Sequence, residues 1–394
     1  TNPNIKSWLS PLLWEGMEFE SLLPDFAQKT VDRIKAKEKS DVVVVAVHAG
    51  TGQGNGEVLE NQGLDLFQNL EGVDFVVCAH DHRPTVRRGD DICLLNAGSH
   101  CNYLGMGTVT VKVEGGKVVG KDLSVDLMSL DKNKVDKEMQ AMFRPDYEAV
   151  KAFTLREVGH LKTDLRTRDA YAGMSDYLNL IHTLCLEATD AQISFAAPLT
   201  FNGEIKAGTL LYNDLFTIYP YENQLFVVKM TGAEIKRYLE HSYDGWINTL
   251  DGNEEHLLKI YKRADPRTGS TRWSFGGATY NFDSAGGLLY DVDVTKPFGE
   301  RVVVKSLAFG ADFDAAAEYK VAMTSYRASG GGGLMKLAGI DTGRIDERVT
   351  GYYPEIRNIL YDYLLTHKEI DPSVIGNKNK IGEWRFTPEK TAQK

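Results

Sequence analysis

A two-domain chain of α/β class is what this sequence predicts, and three observations carry the prediction. Residues 42–47 and 73–79 are short, apolar, β-rich runs on either side of a helical stretch, the pattern of a β-α-β unit. A second group of strand-like runs, at 288–294, 301–308 and 318–324, lies far downstream among helices at 175–188 and 353–366. The length, 394 residues, is enough for two domains, each with a sizeable core.

Composition narrows the partners. Hydrophobic residues make up 42% and charged residues 25%, ordinary values for a globular protein. The formal charge of −10 argues against a nucleic-acid polymer, because phosphate backbones demand a basic surface. A small nucleotide held by a few local groups stays open. No apolar run approaches the ~20 residues that a membrane helix needs. The four cysteines (Cys78, Cys93, Cys101, Cys185) have neither zinc-type spacing nor disulfide density, and Cys78 and Cys93 read as small core residues. The chain opens without a signal peptide and without a methionine.

In chain order, residues 1–20 read as irregular, with Pro3 and Pro11. Residues 22–37 form a helix with Leu23, Phe26, Ala27, Val31 and Ile34 on one face. The strand at 42–47 then runs into His48. The strand at 73–79 runs into Ala79-His80-Asp81-His82. Runs this short and apolar suit strands buried on both faces. In open α/β sheets ligands bind beyond the carboxyl ends of such strands, so His48, His80 and His82 are expected on one rim. Neutral imidazole is a good ligand for Zn, Mn or Fe ions. A single histidine after a strand is by default a loop or packing residue; three on two adjacent strand ends favour metal.

The glycine-rich segment 49–57 between them reads as a rim loop, without the Lys-Ser/Thr ending of a phosphate-binding loop. Residues 58–70 supply the helix. Strands are expected at 92–97, 107–113 and 117–128, the last two joined at Glu114-Gly115-Gly116, giving a sheet sandwich flanked by helices. Residues 131–157 read as an exposed helical connector interrupted at Pro145. The domains are thus 1–130 and 158–394, with the boundary near residue 145.

The second domain begins with the helix at 175–188, N-capped by Ser175, its buried stripe formed by Leu178, Ile181, Cys185 and Leu186. His182 within it is read as a packing or hydrogen-bonding residue. A strand at 192–197 ends at Pro198. Residues 215–230 read as helix end, turn and strand. Thr231-Gly-Ala-Glu234 is a capping box for the next helix, with Ile235 and Leu239 facing inward. Residues 251–275 are polar and read as an inserted surface loop. The strand at 318–324 leads to Tyr326-Arg-Ala-Ser-Gly-Gly-Gly-Gly333, a glycine run at a strand end. Trp384 and Phe386 are expected to pin the tail to a domain surface.

Several of these blocks, in this order, resemble the 5′-nucleotidase family, a metallophosphoesterase domain followed by a 5′-nucleotidase C-terminal domain. Residues 42–50 resemble its strand-His-x-Gly motif, and Ala79-His80-Asp81-His82 its Gly-His-x-His motif with alanine for the glycine. Ile193-Ser-Phe-Ala-Ala-Pro-Leu199, Tyr219-Pro-Tyr-Glu-Asn223, Met230-Thr-Gly-Ala-Glu234 and Tyr326-Arg-Ala-Ser-Gly-Gly331 resemble the recurring blocks of its C-terminal domain. The fold this implies is an incomplete metallophosphoesterase α/β sandwich followed by an α+β domain.

The resemblance implies metal-dependent hydrolysis of a nucleotide phosphoester. His48 and His80 would bind one divalent ion (Zn, Mn or similar) and His82 a second, the pair holding phosphate and a bridging hydroxide. Tyr221 and Tyr326 match two rings that hold the base, and Asn223 matches a base-edge position. Stacking of this kind contributes on the order of 1–3 kcal/mol and tolerates any base. Each tyrosine taken alone reads first as half-buried packing. Arg166 and Arg168 suit forked contacts to phosphate or ribose, or stand solvated.

Two departures qualify this. The family's Asp-x-His, Gly-Asp and Gly-Asn-His-Asp/Glu motifs, with the remaining ligands and the catalytic histidine, fall upstream of Thr1. The chain alone is therefore expected to bind metal weakly or at partial occupancy and to turn over little substrate. A sheet edge or apolar face is expected to be left uncovered, to be met by a second copy or by rearrangement. Second, the 5′-nucleotidase branch usually has an aspartate where Gly332 stands. The Tyr-Arg-Ala-Ser-Gly-Gly wording is closer to the branch acting on 2′,3′-cyclic nucleotides and 3′-nucleotides, so the phosphate position stays open. The alternative is a non-catalytic nucleotide- or nucleoside-binding protein with a degenerate metal site; a sugar-nucleotide hydrolase also fits. Members of the family are typically periplasmic, extracellular or at the cell surface.

Overall fold

A computed structural model of the chain describes residues 14–19, 23–56, 60–130, 135–252, 256–264, 270–371 and 381–389. The readings of Pro3, Pro11, residues 57–59 and residues 131–134 lie outside the described residues. The chain divides into two compact units between Met142 and Phe143.

The first unit is built on a four-stranded sheet. Val44–Ala46 pairs in parallel with Phe75–Cys78, which pairs in parallel with Cys93–Asn96; Thr85–Arg88 closes the sheet antiparallel. The helix Gly63–Asn69 makes the crossover between the first two strands. Phe75–Cys78 is buried almost throughout, as its sequence requires. Val44–Ala46 is not: it is the edge strand, and Val44 is 55% exposed. The expectation of burial on both faces fails here because no described element covers the side on which Val44 and Ala46 stand. In the helix Leu23–Glu38, Leu23 and Val31 are buried, but Phe26 faces solvent.

The hairpin Tyr103–Glu114 with Lys117–Ser129 turns at Gly115 and Gly116, both at positive φ (58° and 78°), the requirement of a two-residue type I′ turn. Its glycines seat it on the sheet. A Cβ at Gly105 would meet Leu95 at 2.9 Å, and one at Gly107 would meet Phe75 at 2.9 Å. Lys121 reaches the buried Asp74 at 2.8 Å. Leu104, Met106, Val111, Val113, Val119 and Met128 remain exposed on this ribbon.

The helix Lys137–Thr154 runs straight through Pro145, against the expected interruption. Every residue of it except Thr154 is exposed, so the carbonyl that proline leaves unpaired one turn earlier is solvated and the helix continues.

The second unit centres on a five-stranded sheet in the order Ser284–Gly286, Ile193–Ala196, Glu318–Thr324, Gln224–Thr231, Val349–Glu355. On one side lie Asp176–Glu187 and Ile356–His367, packing Leu180, Ile181 and Leu184 with Leu360 and Leu364. On the other, Gly232–Trp246 buries Ile235, Tyr238, Leu239, Tyr243 and Trp246. Both helix starts are capped as read. Ser175 accepts from the Leu178 amide at 3.2 Å, and Thr231 and Glu234 make both bonds of the capping box. Within the segment 251–275, read as an inserted surface loop, Ile260–Ala264 and Thr271–Phe275 are strands that pair antiparallel in a largely exposed ribbon. Trp384 and Phe386 go deeper than a surface pin. Gly382–Thr387 is a strand parallel to Leu288–Asp293, and both rings are core residues, 4% exposed.

Candidate functional site

In the first unit the histidines leave the sheet at its carboxyl edge. Val47 and Ala79 are still bonded across the two strands (Val47 N–H to Val77 O, Ala79 N–H to Ala49 O), so His48 and His80 emerge together. Their ring centroids are 5.2 Å apart at an interplanar angle of 72°. Two imidazoles on one tetrahedral ion, with metal–nitrogen bonds of about 2.0–2.1 Å, keep their centroids roughly 5 Å apart. His82 lies with another ring, His100, at 6.2 Å. His80, His82, His100 and Cys101 all sit at positive φ, a cluster of costly backbone on the loops after two adjacent strands.

Other residues hold this edge in place. Asp81 accepts from the Thr51 amide (2.8 Å) and from Asn96 Nδ2 (2.7 Å), tying three loops together. Gly50 lies where a Cβ would fall 1.8 Å from Asn61 Oδ1. In the glycine-rich loop the amides of Gly50, Thr51 and Gly56 are taken by Glu60 O, Asp81 and Asp65. His80 Nε2 meets Glu60 Oε1 at 2.6 Å. Glu60 and His100 were not picked out from the sequence: neither lies in a motif, and only the loop paths bring them to the strand ends. For a metal the fit is partial. The spacing of His48 and His80 suits one ion, but among the described residues no three His, Cys, Asp or Glu side chains are grouped to hold one.

In the second unit a buried arginine lies beside Tyr326, one of the residues read as a base site. Tyr326 follows the strand Glu318–Thr324, whose last residue, Thr324, caps the short turn by accepting from the Arg327 amide. Arg327 turns inward and binds Asp283 with Nε (2.8 Å) and Nη2 (3.1 Å). It also donates to Tyr280 O (2.8 Å), Asn281 Oδ1 (3.1 Å) and Gly331 O (2.7 Å). Burial works against its charge, but Asp283 outweighs that and holds the guanidinium above its ordinary pKa. One side chain thus fixes the loop of Tyr280 and the glycine run beside Tyr326.

Tyr280 completes an aromatic trio that the sequence did not disclose. Its ring stands edge-on to Tyr221 (6.0 Å, 77°) and to Tyr326 (6.1 Å, 83°). Tyr221 and Tyr280 remain 40% and 39% exposed, so ring surface is left for a ligand. Burial, and then the nearness of Tyr280, push the Tyr221 phenol up. The glycines are there for room: a Cβ at Gly331 would fall 2.4 Å from the Tyr326 ring, and one at Gly332 would fall 2.2 Å from Asn281 Oδ1 and 2.5 Å from Arg327 Nη1. Asn223 Nδ2 lies 3.4 Å from the Tyr219 hydroxyl.

The two arginines part company. Arg168 lies over the Phe201 ring at 4.7 Å and bonds Asn202 at 2.7 Å; Phe201 in turn packs on Tyr171. Arg166 is held by Glu204 (3.0 Å) and Asp164 (3.6 Å) in an exposed ion network with Lys206. His182 is, as read, a core residue, bonded to Ser194 (2.7 Å) and Ser284 (3.3 Å).

The chain thus combines an α/β unit with histidines at its strand ends and an α+β unit with a tyrosine cluster, a two-domain architecture. Residues 157–339 match the family model described as "5′-nucleotidase, C-terminal domain". The chain is 24% identical to the trifunctional nucleotide phosphoesterase protein YfkN of Bacillus subtilis, across 98% of this chain and 28% of that protein. It is 25% identical to a 2′,3′-cyclic-nucleotide 2′-phosphodiesterase/3′-nucleotidase of Haemophilus influenzae, across 98% of this chain and 63% of the relative. The chain therefore spans less than two thirds of either relative. Among solved structures, a Staphylococcus aureus protein assigned as a 5′-nucleotidase, in complex with α-ketoglutarate, superimposes with a TM-score of 0.71 at 19% identity, over 98% of this chain and 71% of that one. That likeness shows the fold. No described helix is long and apolar enough to cross a membrane.

Proposed function

We propose that this chain belongs to a nucleotide phosphoester hydrolase and supplies its nucleoside-binding half together with part of its metal centre. The observation that carries this reading is the tyrosine cluster locked by Arg327. Three clustered rings, two of them about 40% exposed and the middle one anchored through its carbonyl by a buried arginine, suit a flat ligand, and stacking on a base contributes about 1–3 kcal/mol per contact. Relatives named as nucleotide phosphoesterases support it.

A bound divalent ion would supply Lewis acidity toward phosphoryl oxygens and a nucleophilic water. His48 and His80 would hold it, and His82 would contribute to a second. Two ligands leave an ion under-coordinated, so we expect weak metal binding and little turnover from this chain. The test is hydrolysis of 5′-AMP, 3′-AMP and 2′,3′-cyclic AMP by the purified protein with added Mn²⁺ or Zn²⁺. Turnover at ordinary enzymatic rates would overturn the weak-metal reading, and the preferred substrate would fix the phosphate position.

One observation favours a second reading: no three metal-donor side chains are grouped among the described residues. On that reading the chain is a nucleoside- or nucleotide-binding protein without catalysis. Calorimetry separates the two. Adenosine binding that ignores metal and phosphate supports the binder. Binding of AMP that requires both supports the hydrolase.

A further inference from the structure

We infer that Tyr280 is the third wall of the base site and selects purines over pyrimidines. The inference rests on the base-site reading given above and deepens it.

Tyr280 stands at nearly the same distance from Tyr221 and Tyr326, and its ring is close to perpendicular to both. A flat base stacked on either of those rings lies parallel to it. Its plane then meets Tyr280 at nearly a right angle, the edge-to-face arrangement that aromatic pairs favour. Contact therefore depends on how far the base extends from its sugar. The fused second ring of a purine carries it toward Tyr280, whereas a pyrimidine ends sooner.

The position of this wall is fixed rather than chosen on binding. Arg327 Nη2 donates to Tyr280 O at 2.8 Å, and Nη1 holds the next residue, Asn281, at 3.1 Å. Phe282 and Asp283, immediately after, are buried, 1% and 4% exposed. Tyr280 itself is 39% exposed, a large ring kept at the surface on a loop anchored beneath it.

The experiment titrates adenosine and cytidine into the whole chain by calorimetry, comparing the wild type with Tyr280→Ala, Tyr280→Phe and Tyr221→Ala. A thermal melt of each variant checks that it is folded; Tyr280→Leu replaces the alanine variant should that one unfold. Tyr280→Ala is expected to weaken adenosine about five- to tenfold, the scale of one aromatic edge contact, and cytidine less than twofold. Tyr280→Phe keeps both within twofold, because the ring and not the hydroxyl makes the contact. If the wild type binds neither nucleoside, the base-site reading fails and this inference fails with it. If Tyr221→Ala abolishes binding but Tyr280→Ala leaves both nucleosides unchanged, or weakens them equally, the base site stands and the role of Tyr280 is refuted. Loss in Tyr280→Phe equal to that in Tyr280→Ala also refutes it.

Discussion

Arg327 and Asp283, 44 residues apart in the chain, face each other through two parallel hydrogen bonds of 2.8 and 3.1 Å with both side chains shut off from water. Removing one partner of such a pair leaves a buried charge uncompensated and costs about 3–5 kcal/mol. Arg327→Ala is expected to lose that much in denaturant unfolding. Arg327→Lys can replace the charge but not the fork, since an ammonium offers no planar pair of donors. That variant should fold with an intermediate loss and should bind adenosine more weakly, because Tyr280 O, Asn281 and Gly331 O lose their common anchor. Equal stability of Arg327→Lys and wild type would refute the anchoring role.

Gly332 is a second point at which the tyrosine cluster can be probed. Its φ is +71°, and the place of its missing Cβ is taken by Asn281 Oδ1 and Arg327 Nη1. An aspartate there would require these groups to move and a non-glycine residue to adopt a left-handed backbone. Gly332→Asp is therefore expected to destabilise the protein by roughly 2–4 kcal/mol from steric overlap and backbone strain together. It should not simply create a new ribose contact. Unchanged melting with improved AMP binding would show that the loop yields more easily than its packing suggests.

His182 gives the second unit a dependence on pH. Burial lowers its pKa from 6.5 to about 3. The unfolded chain therefore takes up a proton near pH 6.5 that the folded chain refuses until about pH 3. The contribution is fully present above pH 6.5 and is lost as pH falls from there toward 3, at up to about 1.4 kcal/mol per pH unit for one proton. His182→Gln removes the titration while leaving an amide to meet Ser194 and Ser284. Urea unfolding at pH 7.5, 6.5 and 5.5 should show a steeper loss for wild type than for the variant. Parallel slopes would mean that the buried imidazole does not drive the acid response.

The features legible in the sequence are those set by near neighbours. Thr231 and Glu234 cap a helix from three residues apart, and Gly115-Gly116 turns a hairpin by its own backbone preference. The blocks around Tyr221 and Tyr326 were visible as motifs. What could not be read depends on distant pairing. The tail holding Trp384 becomes a core strand because it pairs with Leu288–Asp293, about a hundred residues earlier. Tyr280 meets Tyr221 and Tyr326 from a distant part of the chain, on a loop that Arg327 helps to anchor. Val44 is exposed because its strand ends the sheet, a property of strand order that apolar content does not carry.

The bond between His80 Nε2 and Glu60 Oε1, at 2.6 Å, makes the metal reading testable at a residue that is not itself a ligand. Metal-binding histidines usually donate their second ring N–H to a carboxylate or carbonyl, which fixes the tautomer and aims the other nitrogen. With Nε2 committed to Glu60, the nitrogen left for an ion shared with His48 is Nδ1. Loss of such a partner typically weakens metal binding 10–100-fold. Zn²⁺ titrated into the protein by calorimetry should therefore show weak binding that His48→Ala and His80→Ala abolish. Glu60→Gln should weaken it at least tenfold while leaving adenosine binding, which depends on the second unit, unchanged. Tighter Zn²⁺ binding in Glu60→Gln would mean that the carboxylate competes with the ion for the imidazole instead of orienting it, and the assignment of His80 as a ligand through Nδ1 would fall.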